Sequence, residues 1–160
     1  MYNTAKKICS WDEAAAIVAD WQKENKKVVF TNGCFDILHL GHVDYLEKSR
    51  NLGDKMVVGV NSDRSVSDLK GPSRPVSDEL SRTRVMASLA FVDLVVIFGE
   101  ETPFELISKL KPDILVKGSD YLAENIVGAD IVIANGGEVK TIDLVDGYST
   151  SNVIKFIKNH

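Results

Sequence analysis

Five short apolar segments, separated by stretches of helical character, constrain the fold of this chain more than any other feature. Residues 56–60 read Met-Val-Val-Gly-Val, an uninterrupted apolar run that is typical of a strand buried on both faces. The other predicted strands cover residues 27–31, 94–98, 114–116 and 139–142. Because strands that alternate with helices form parallel sheets covered on both faces, the pattern predicts a doubly wound α/β domain with a five-stranded parallel sheet.

The helices are predicted from their start and stop signals. Ser10 and Glu13 form a capping box in front of an apolar stripe. Further helices are expected at residues 41–51, 77–91, from 103 onward, 126–135 and 152–158. Residues 70–75, Lys-Gly-Pro-Ser-Arg-Pro, cannot be helical and are predicted to form a loop. We expect one compact domain overall, with residues 1–26 as an N-terminal helical segment and residues 27–160 as the domain proper.

Length, charge and cysteine content narrow the functional class. The 160 residues suffice for one domain with its own core. The net charge of −4 leaves no cationic excess with which to neutralise a nucleic-acid backbone, and no segment has the length of a membrane span. Cys9 and Cys34 show no metal-ligand spacing, which indicates a reduced chain in the cytoplasm. We therefore expect neither a nucleic acid nor a membrane as a partner.

Residues 31–42, Thr-Asn-Gly-Cys-Phe-Asp-Ile-Leu-His-Leu-Gly-His, contain two of the three histidines of the chain. His39 and His42 lie where the first predicted strand passes into a helix, beside a turn of free backbone N–H groups. This arrangement suits a triphosphate whose α-phosphorus is under attack, because imidazoles there can stabilise the developing charge. Zinc is the competing ligand, but no nearby Cys, Glu or third His completes a shell, so we assign no metal site.

Other polar clusters follow the predicted strands and should meet the histidines at the carboxyl edge of the sheet. They cover residues 61–63, 117–120 and 147–152. A reaction that joins two anions also needs several cations, and the chain concentrates them between residues 70 and 84. We predict phosphate contacts for Lys70 and Arg82, leave Arg74 open between binding and surface charge, and expect Arg84 to be solvated.

These motifs resemble those of nucleotidylyltransferases, and in particular the adenylyltransferases of ADP-heptose synthesis, which stand alone or form the C-terminal half of a bifunctional protein. Besides residues 31–42, the resemblance rests on residues 60–63, 69–76, 116–121, 134–139 and 149–152. It implies a Rossmann-like domain of the H-x-G-H type. It also implies transfer of AMP from ATP to D-glycero-D-manno-heptose 1-phosphate, with release of pyrophosphate, for lipopolysaccharide core or other surface glycans.

Residue patterns and resemblance together define a predicted site. The catalytic residues would be His39, His42, Lys70 and Arg82. The nucleotide-binding residues would be Thr31, Asn32, Gly33, Cys34, Phe35, Gly41, Lys117, Gly118, Asp120, Ser149 and Thr150. The residues that contact the acceptor would be Asp36, Asn61, Asp63 and Arg74. Mg²⁺ would accompany ATP, and the oligomeric state is left open, with a homodimer suggested by the superfamily.

Two alternatives remain open at this point. A cytidylyltransferase for glycerol 3-phosphate or another polyol phosphate would share the H-x-G-H motif. Related enzymes of that kind, however, carry an arginine-containing motif before the last Ser-Thr helix, where this chain has Leu-Val-Asp-Gly at residues 144–147. A non-catalytic nucleotide-binding module is the alternative from a different class, and it would bind ATP without releasing pyrophosphate.

Overall fold

A computed structural model describes residues 3–122 and 125–160. Within that range, five strands form a single sheet: β1 Val28–Gly33, β2 Lys55–Asn61, β3 Leu94–Phe98, β4 Ile114–Gly118 and β5 Glu138–Ile142. Their order across the sheet is β3-β2-β1-β4-β5, and every neighbouring pair is parallel. The predicted α/β fold with five parallel strands is therefore confirmed.

Seven α-helices lie in the described residues: α1 Trp11–Lys23, α2 Leu40–Arg50, α3 Asp63–Lys70, α4 Glu79–Ser88, α5 Phe104–Leu110, α6 Ala129–Ala134 and α7 Thr150–Asn159. A short 3-10 helix, Thr4–Lys7, precedes α1. Helices α4 and α6 are shorter than predicted, and α3 was not predicted at all. Helix α3 buries only Ser65 and Val66, so it lacks the apolar stripe by which a helix is recognised. No helix of the described residues is long and apolar enough to cross a bilayer.

The predicted capping box starts α1. Ser10 Oγ accepts a hydrogen bond from the Glu13 N–H, and the Glu13 carboxylate accepts one from the Ser10 N–H at 2.8 Å. Ala14 and Val18 then pack in the same hydrophobic cluster as residues of the sheet. Residues 11–23 thus share the core of the domain, and the predicted division of the chain at residue 26 stays a prediction.

Two hydrophobic clusters cover the two faces of the sheet. Phe30 of β1 points into a cluster that includes side chains of α1, α5 and α6. Val29, its neighbour in the strand, points into a second cluster that includes side chains of α2 and α4. Because successive residues of a strand face opposite sides, both faces of the central strands are buried, as the uninterrupted apolar runs predicted.

One margin of the sheet is covered by the chain's N-terminal segment. Ile8 forms a parallel bridge with Val95 of β3, and the Cys9 N–H donates to the Val95 carbonyl at 3.1 Å. Lys7 Nζ donates to the carbonyls of Leu89 and Val92, which follow α4. These contacts fix the segment alongside β3.

The sheet opens between β1 and β4. Strand β1 pairs with β2 along its whole length, from Val28 to Gly33. It pairs with β4 only at Val29 and Phe30, although β4 continues to Gly118. The two strands therefore separate toward their carboxyl ends, at the point where the chain order reverses. Such a switch point is the usual ligand site of an open α/β sheet.

Asp93, just before β3, connects several groups at the amino-terminal ends of the strands, opposite the gap between β1 and β4. Its carboxylate accepts hydrogen bonds from Arg50 Nε at 3.2 Å, Lys55 Nζ at 2.9 Å and the Met56 N–H at 2.9 Å. We expect Asp93→Ala to lower the free energy of unfolding by about 2 kcal/mol, because two partly buried cations and one N–H group lose their acceptor. Urea unfolding followed by circular dichroism measures the change.

The control for this prediction is Asp20→Ala. Asp20 pairs with Lys23 at 2.8 Å, but the two side chains are 71% and 75% exposed, so water screens the pair. No measurable change in stability is expected for this variant. Equal losses in the two variants would show that Asp93 has no special role in the fold.

Candidate active site

A cavity of about 690 Å³ occupies the gap at the carboxyl edge of the sheet. It brings together most of the predicted site residues: Asn32, Gly33, Cys34, Phe35, Asp36, His39, Gly41, His42, Asn61, Lys70, Arg74, Lys117, Gly118, Asp120, Ser149 and Thr150. Thr31, Asp63 and Arg82 do not line it. The cavity therefore collects residues from five segments that are far apart in the sequence.

The two histidines of the H-x-G-H turn stack on each other. The ring centroids of His39 and His42 are 3.8 Å apart, with 23° between the ring planes. The Phe35 ring meets the His42 ring edge-on at 5.4 Å, and Phe35 itself has a φ of +46°, which is unusual for a residue with a side chain. A Cβ at Gly33 would lie 3.0 Å from the Phe35 ring, so a side chain there would require the ring to shift. Close packing thus holds the imidazoles in one orientation.

Burial favours the neutral form of both imidazoles in the free protein. It lowers the pKa of His42 to about 4, and the neighbouring His39 acts in the same direction. Burial also lowers the pKa of His39. Each neutral ring has one donor and one acceptor nitrogen, and His39 Nδ1 has no hydrogen-bond partner within the described parts of the chain. A negatively charged ligand beside the rings would favour their protonated forms.

Helices α2 and α7 begin side by side at the cavity. His39 is the N-cap residue of α2, and none of the residues described caps that helix through a side chain. A Cβ at Gly41 would lie 3.3 Å from Tyr148 Cβ, just ahead of α7, and the Thr150 hydroxyl is 3.5 Å from the Ile37 carbonyl. Since the first N–H groups of a helix lack partners and carry partial positive charge, two such ends favour an anion.

Ser149 is the N-cap residue of α7, so one hydroxyl of the predicted Ser-Thr pair is partly occupied. Its Oγ accepts a hydrogen bond from the Asn152 N–H at 3.1 Å. Ser149, Thr150 and Ser151 all line the cavity. The Ser149 hydroxyl can still donate a hydrogen bond there.

Lys117 brings a partly buried cation to the cavity from β4. Its ammonium group contacts Asn32 Oδ1 across the gap between the strands and lies 5.7 Å from the centre of the Tyr121 ring. Burial lowers the pKa of Lys117 to about 8, although the nearby Asp120 carboxylate acts in the opposite direction. Among the described side chains, no carboxylate lies within ion-pair distance of it. An anion in the cavity would offset this charge.

Asp36 was predicted to contact the acceptor, and the structure contradicts a contact through its carboxylate. The side chain has no exposed surface, and it accepts hydrogen bonds from Arg74 Nε at 2.7 Å and from the N–H groups of Val76 and Ser77 at 2.9 Å. Burial alone would raise the pKa of Asp36, but the two N–H groups and Arg74 outweigh it and hold the pKa below its ordinary value. Asp36 thus belongs to the support of the site.

Arg82, which we predicted to bind phosphate, is fully buried outside the cavity. Its guanidinium donates to the carbonyls of Ser77 and Cys34 and to Asp63 Oδ1, at 3.0, 2.7 and 2.8 Å. Asp63, a predicted acceptor contact, is occupied by that ion pair. A direct substrate contact by Arg82 does not fit this geometry, and Asp63, although its side chain is 41% exposed, does not line the cavity. Their partners lie 19 and 48 residues away in the sequence, which no local pattern indicates.

Thr31 does not line the cavity, whereas Cys34 does. The Thr31 hydroxyl is buried and forms a hydrogen bond of 2.8 Å with the hydroxyl of Tyr45, so it supports this residue of the cavity wall. Cys34 does line the cavity, but burial raises the pKa of its thiol, against the pull of Lys70, Arg82 and Arg74. A protonated thiol is a poor nucleophile, so Cys34 acts as a wall residue.

Several residues of the cavity wall were missed: Tyr45, Leu69, Glu101, Tyr121, Asn125, Ile126, Val127, Leu144, Val145, Tyr148 and Ser151. Most are apolar or aromatic, and such residues look like core residues in a sequence. Tyr148 and Ser151 lie in the predicted cluster of residues 147–152, although neither was named as a site residue. Leu144 and Val145 follow the carboxyl end of β5, so the rule that located the polar clusters would also have found these two.

The chain is similar to known proteins along most of its length. Residues 30–155 match the model of the cytidylyltransferase-like family. The chain is 53% identical over 151 residues to the bifunctional protein HldE of Methylobacillus flagellatus, covering 94% of this chain and 31% of the relative. It is 54% identical over 154 residues to HldE of Campylobacter jejuni subsp. jejuni, covering 96% and 32%. The chain thus spans about a third of the length of these curated relatives.

Solved structures show the same architecture. A lipopolysaccharide core biosynthesis protein from Thermoplasma volcanium superposes with a TM-score of 0.59 at 32% identity, covering 78% of this chain and 99% of that one. Pantothenate synthetase from Thermus thermophilus superposes with a TM-score of 0.63 at 19% identity, covering 92% and 67%, and shares the fold alone. Since the family match includes every segment that lines the cavity, the chain belongs to the cytidylyltransferase-like family of nucleotidyltransferases.

Proposed function

We propose that the protein transfers AMP from ATP to D-glycero-D-manno-heptose 1-phosphate, with formation of ADP-heptose and release of pyrophosphate. The observation that carries this proposal is the meeting of stacked imidazoles, two helix N-termini and Lys117 at one cavity. Both substrates are anions, and each of these groups favours an anion. The heptose is supported by the resemblance at residues 69–76 and 116–121 and by relatives named HldE and lipopolysaccharide core biosynthesis protein.

The reaction would need no covalent intermediate on the enzyme. A phosphate oxygen of the acceptor attacks the α-phosphorus of ATP and forms a new P–O bond. The bond between that phosphorus and the bridging oxygen breaks, and pyrophosphate leaves with the electron pair. Catalysis then depends on alignment of the two substrates and on stabilisation of the charge on the bridging and equatorial oxygens.

The residues of the cavity would divide this work. His39 and His42 would donate hydrogen bonds to the oxygens around the α-phosphorus, and the N–H groups at the start of α2 and α7 would bind the leaving phosphates. Lys117 and Lys70 would neutralise charge from opposite ends of the cavity wall. Asn61, the last residue of β2, and Arg74, in the loop after α3, would contact the acceptor.

Mg²⁺ would accompany ATP and neutralise charge on its β and γ phosphates. Within residues 3–122 and 125–160, no three His, Cys, Asp or Glu side chains converge to hold a metal ion by themselves. The donors fit Mg²⁺ nevertheless, because this ion keeps several waters and binds mainly through substrate phosphates. Asp120 and Glu101 line the cavity and are the carboxylates that would contact the ion or its waters.

The cellular setting is part of the same proposal. Cys9 and Cys34 are both free thiols, as expected of a protein in the reducing cytoplasm, where ATP is available. A homodimer stays a prediction.

The direct test is a substrate panel. Purified protein is incubated with ATP, CTP, GTP or UTP and with either anomer of heptose 1-phosphate, glycerol 3-phosphate or no acceptor, and pyrophosphate is measured. We expect release with ATP and one heptose anomer. Turnover with CTP and glycerol 3-phosphate alone would instead support a cytidylyltransferase. ATP binding in calorimetry without pyrophosphate from any acceptor would support a non-catalytic module.

Substitution of either cavity histidine tests the assigned chemistry. We expect His39→Ala and His42→Ala each to lower kcat by about 100-fold or more, because the ring stabilises charge that develops only in the transition state. The matched control is His160→Ala, since His160 is the third histidine, is exposed at the end of the chain and stacks on Phe156 at 4.3 Å. Near-normal kcat in both cavity variants would refute their role.

Proton uptake tests whether an anion binds beside Lys117. At pH 8 about half of the free protein carries a neutral Lys117, because its pKa is about 8. A bound anion raises this pKa, so ATP binding at pH 8 is expected to add about 0.5 proton to Lys117, and at pH 6.5 Lys117 adds less because it is already charged. Calorimetry in two buffers of different ionisation enthalpy measures the uptake. It should disappear in Lys117→Met; unchanged uptake there would place the anion elsewhere.

A further inference from the structure

We propose that Asp36 is a positioning residue that fixes the loop after α3 and thereby places Lys70 against the substrates. The inference rests on the proposed function, because it assigns Lys70 to the substrate anions. It concerns a side chain that cannot touch either substrate, since the Asp36 carboxylate has no exposed surface. Asp36 would act only through the geometry of its neighbours.

Lys70 is poorly held by its own contacts. It is the last residue of α3, is exposed and lines the cavity, and its ammonium group forms no hydrogen bond or ion pair with the described residues. Gly71 follows with a φ of +95°, a conformation that residues with side chains rarely adopt. Because α3 buries only Ser65 and Val66, the helix alone anchors Lys70 weakly.

The loop of residues 71–77 is anchored at its far end by Asp36. The carboxylate accepts from Arg74 Nε and from the backbone N–H groups of Val76 and Ser77, all within 2.9 Å. Asp36 lies only three residues before His39, in the turn that carries the imidazoles. Its hydrogen bonds therefore tie the loop that follows Lys70 directly to the turn that carries the histidines.

A second buried tie supports the same junction. Arg82 donates to the Ser77 carbonyl and to the Cys34 carbonyl, so Ser77 is held through its N–H by Asp36 and through its carbonyl by Arg82. The Asp36 carboxylate and the Cys34 carbonyl, which accept these hydrogen bonds, both belong to the turn of residues 34–36. The loop cannot move relative to the imidazoles without breaking several hydrogen bonds of buried or partly buried groups.

Asp36→Asn tests the proposal, because it keeps the size of the side chain and removes its charge. We expect KM for one substrate to rise, or kcat to fall, by about 10-fold or more, since misplacement of a charged group weakens transition-state contacts. In a double-mutant cycle, Lys70→Ala should then lower kcat/KM much less in the Asp36→Asn background than in the wild type. Additive losses would show that Asp36 does not act through Lys70.

The matched control is Asp93→Asn. Asp93 also accepts from an arginine, and from a backbone N–H group, but it lies at the opposite edge of the sheet. We expect it to lower the melting temperature and leave KM and kcat unchanged. If Asp36→Asn likewise lowered only the melting temperature, its role would be structural and the inference would fail.

A binding readout separates this inference from the proposed reaction. Acetylation of Lys70 by an N-hydroxysuccinimide ester is followed by mass spectrometry, with and without ATP and, separately, heptose 1-phosphate. We expect one of these ligands to protect Lys70 in the wild type and in Asp93→Asn, but not in Asp36→Asn. This protection pattern without pyrophosphate release would contradict the proposed reaction and support the positioning role of Asp36. Pyrophosphate release with equal protection of Lys70 in all three proteins would support the reaction and contradict the positioning role of Asp36.

A second variant covers the case in which Asp36→Asn does not fold. Arg74→Lys keeps the cation but loses the Nε–H donor that faces Asp36. A smaller loss of Lys70 protection, in the same direction, is expected. Full protection of Lys70 in this variant would contradict the proposal.

Discussion

The separation of β1 from β4 is the constraint on which the rest of this structure depends. Pairing between the two strands ends at Phe30 and Leu115, while both strands run on toward their carboxyl ends. Backbone groups beyond that point need other partners, and a cavity forms in the gap. The contact between Asn32 and Lys117 spans it, and the H-x-G-H turn borders it. The location of the site thus follows from the strand order and not from the loops alone.

Charge in this protein is distributed in two ways. Arg74 and Arg82 are paired with Asp36 and Asp63, so these cations are neutralised within the fold. Lys117 and the two imidazoles face the cavity without such neutralisation among the residues described, and burial shifts the pKa of each toward the neutral form. Burial without a counter-charge is unfavourable for the free protein. A polyanionic ligand relieves this cost, which links the stability of the site to its occupancy.

The sequence predicted the parts of the structure that are governed by local patterns. The five strands, the capping box at Ser10 and the meeting of His39 and His42 with the segments after β4 and β5 all follow from short-range signals. Helix α3 escaped prediction because it buries little apolar surface. The partners of Asp36 and Arg82 were also inaccessible, because ion pairs between distant segments leave no periodic trace and a charged residue in a polar loop looks solvated.

The N-terminal segment that lies alongside β3 has a consequence for how copies of this protein meet. An unpaired strand margin is a template for aggregation through strand addition. Ile8 and Cys9 pair with the edge strand β3. Within the sheet described, β5 is then the only edge strand without such a neighbour. Glu138 and Lys140 place charges along β5, which discourages intermolecular ladders there. Both flanks of the sheet are therefore protected, one by coverage and the other by charge.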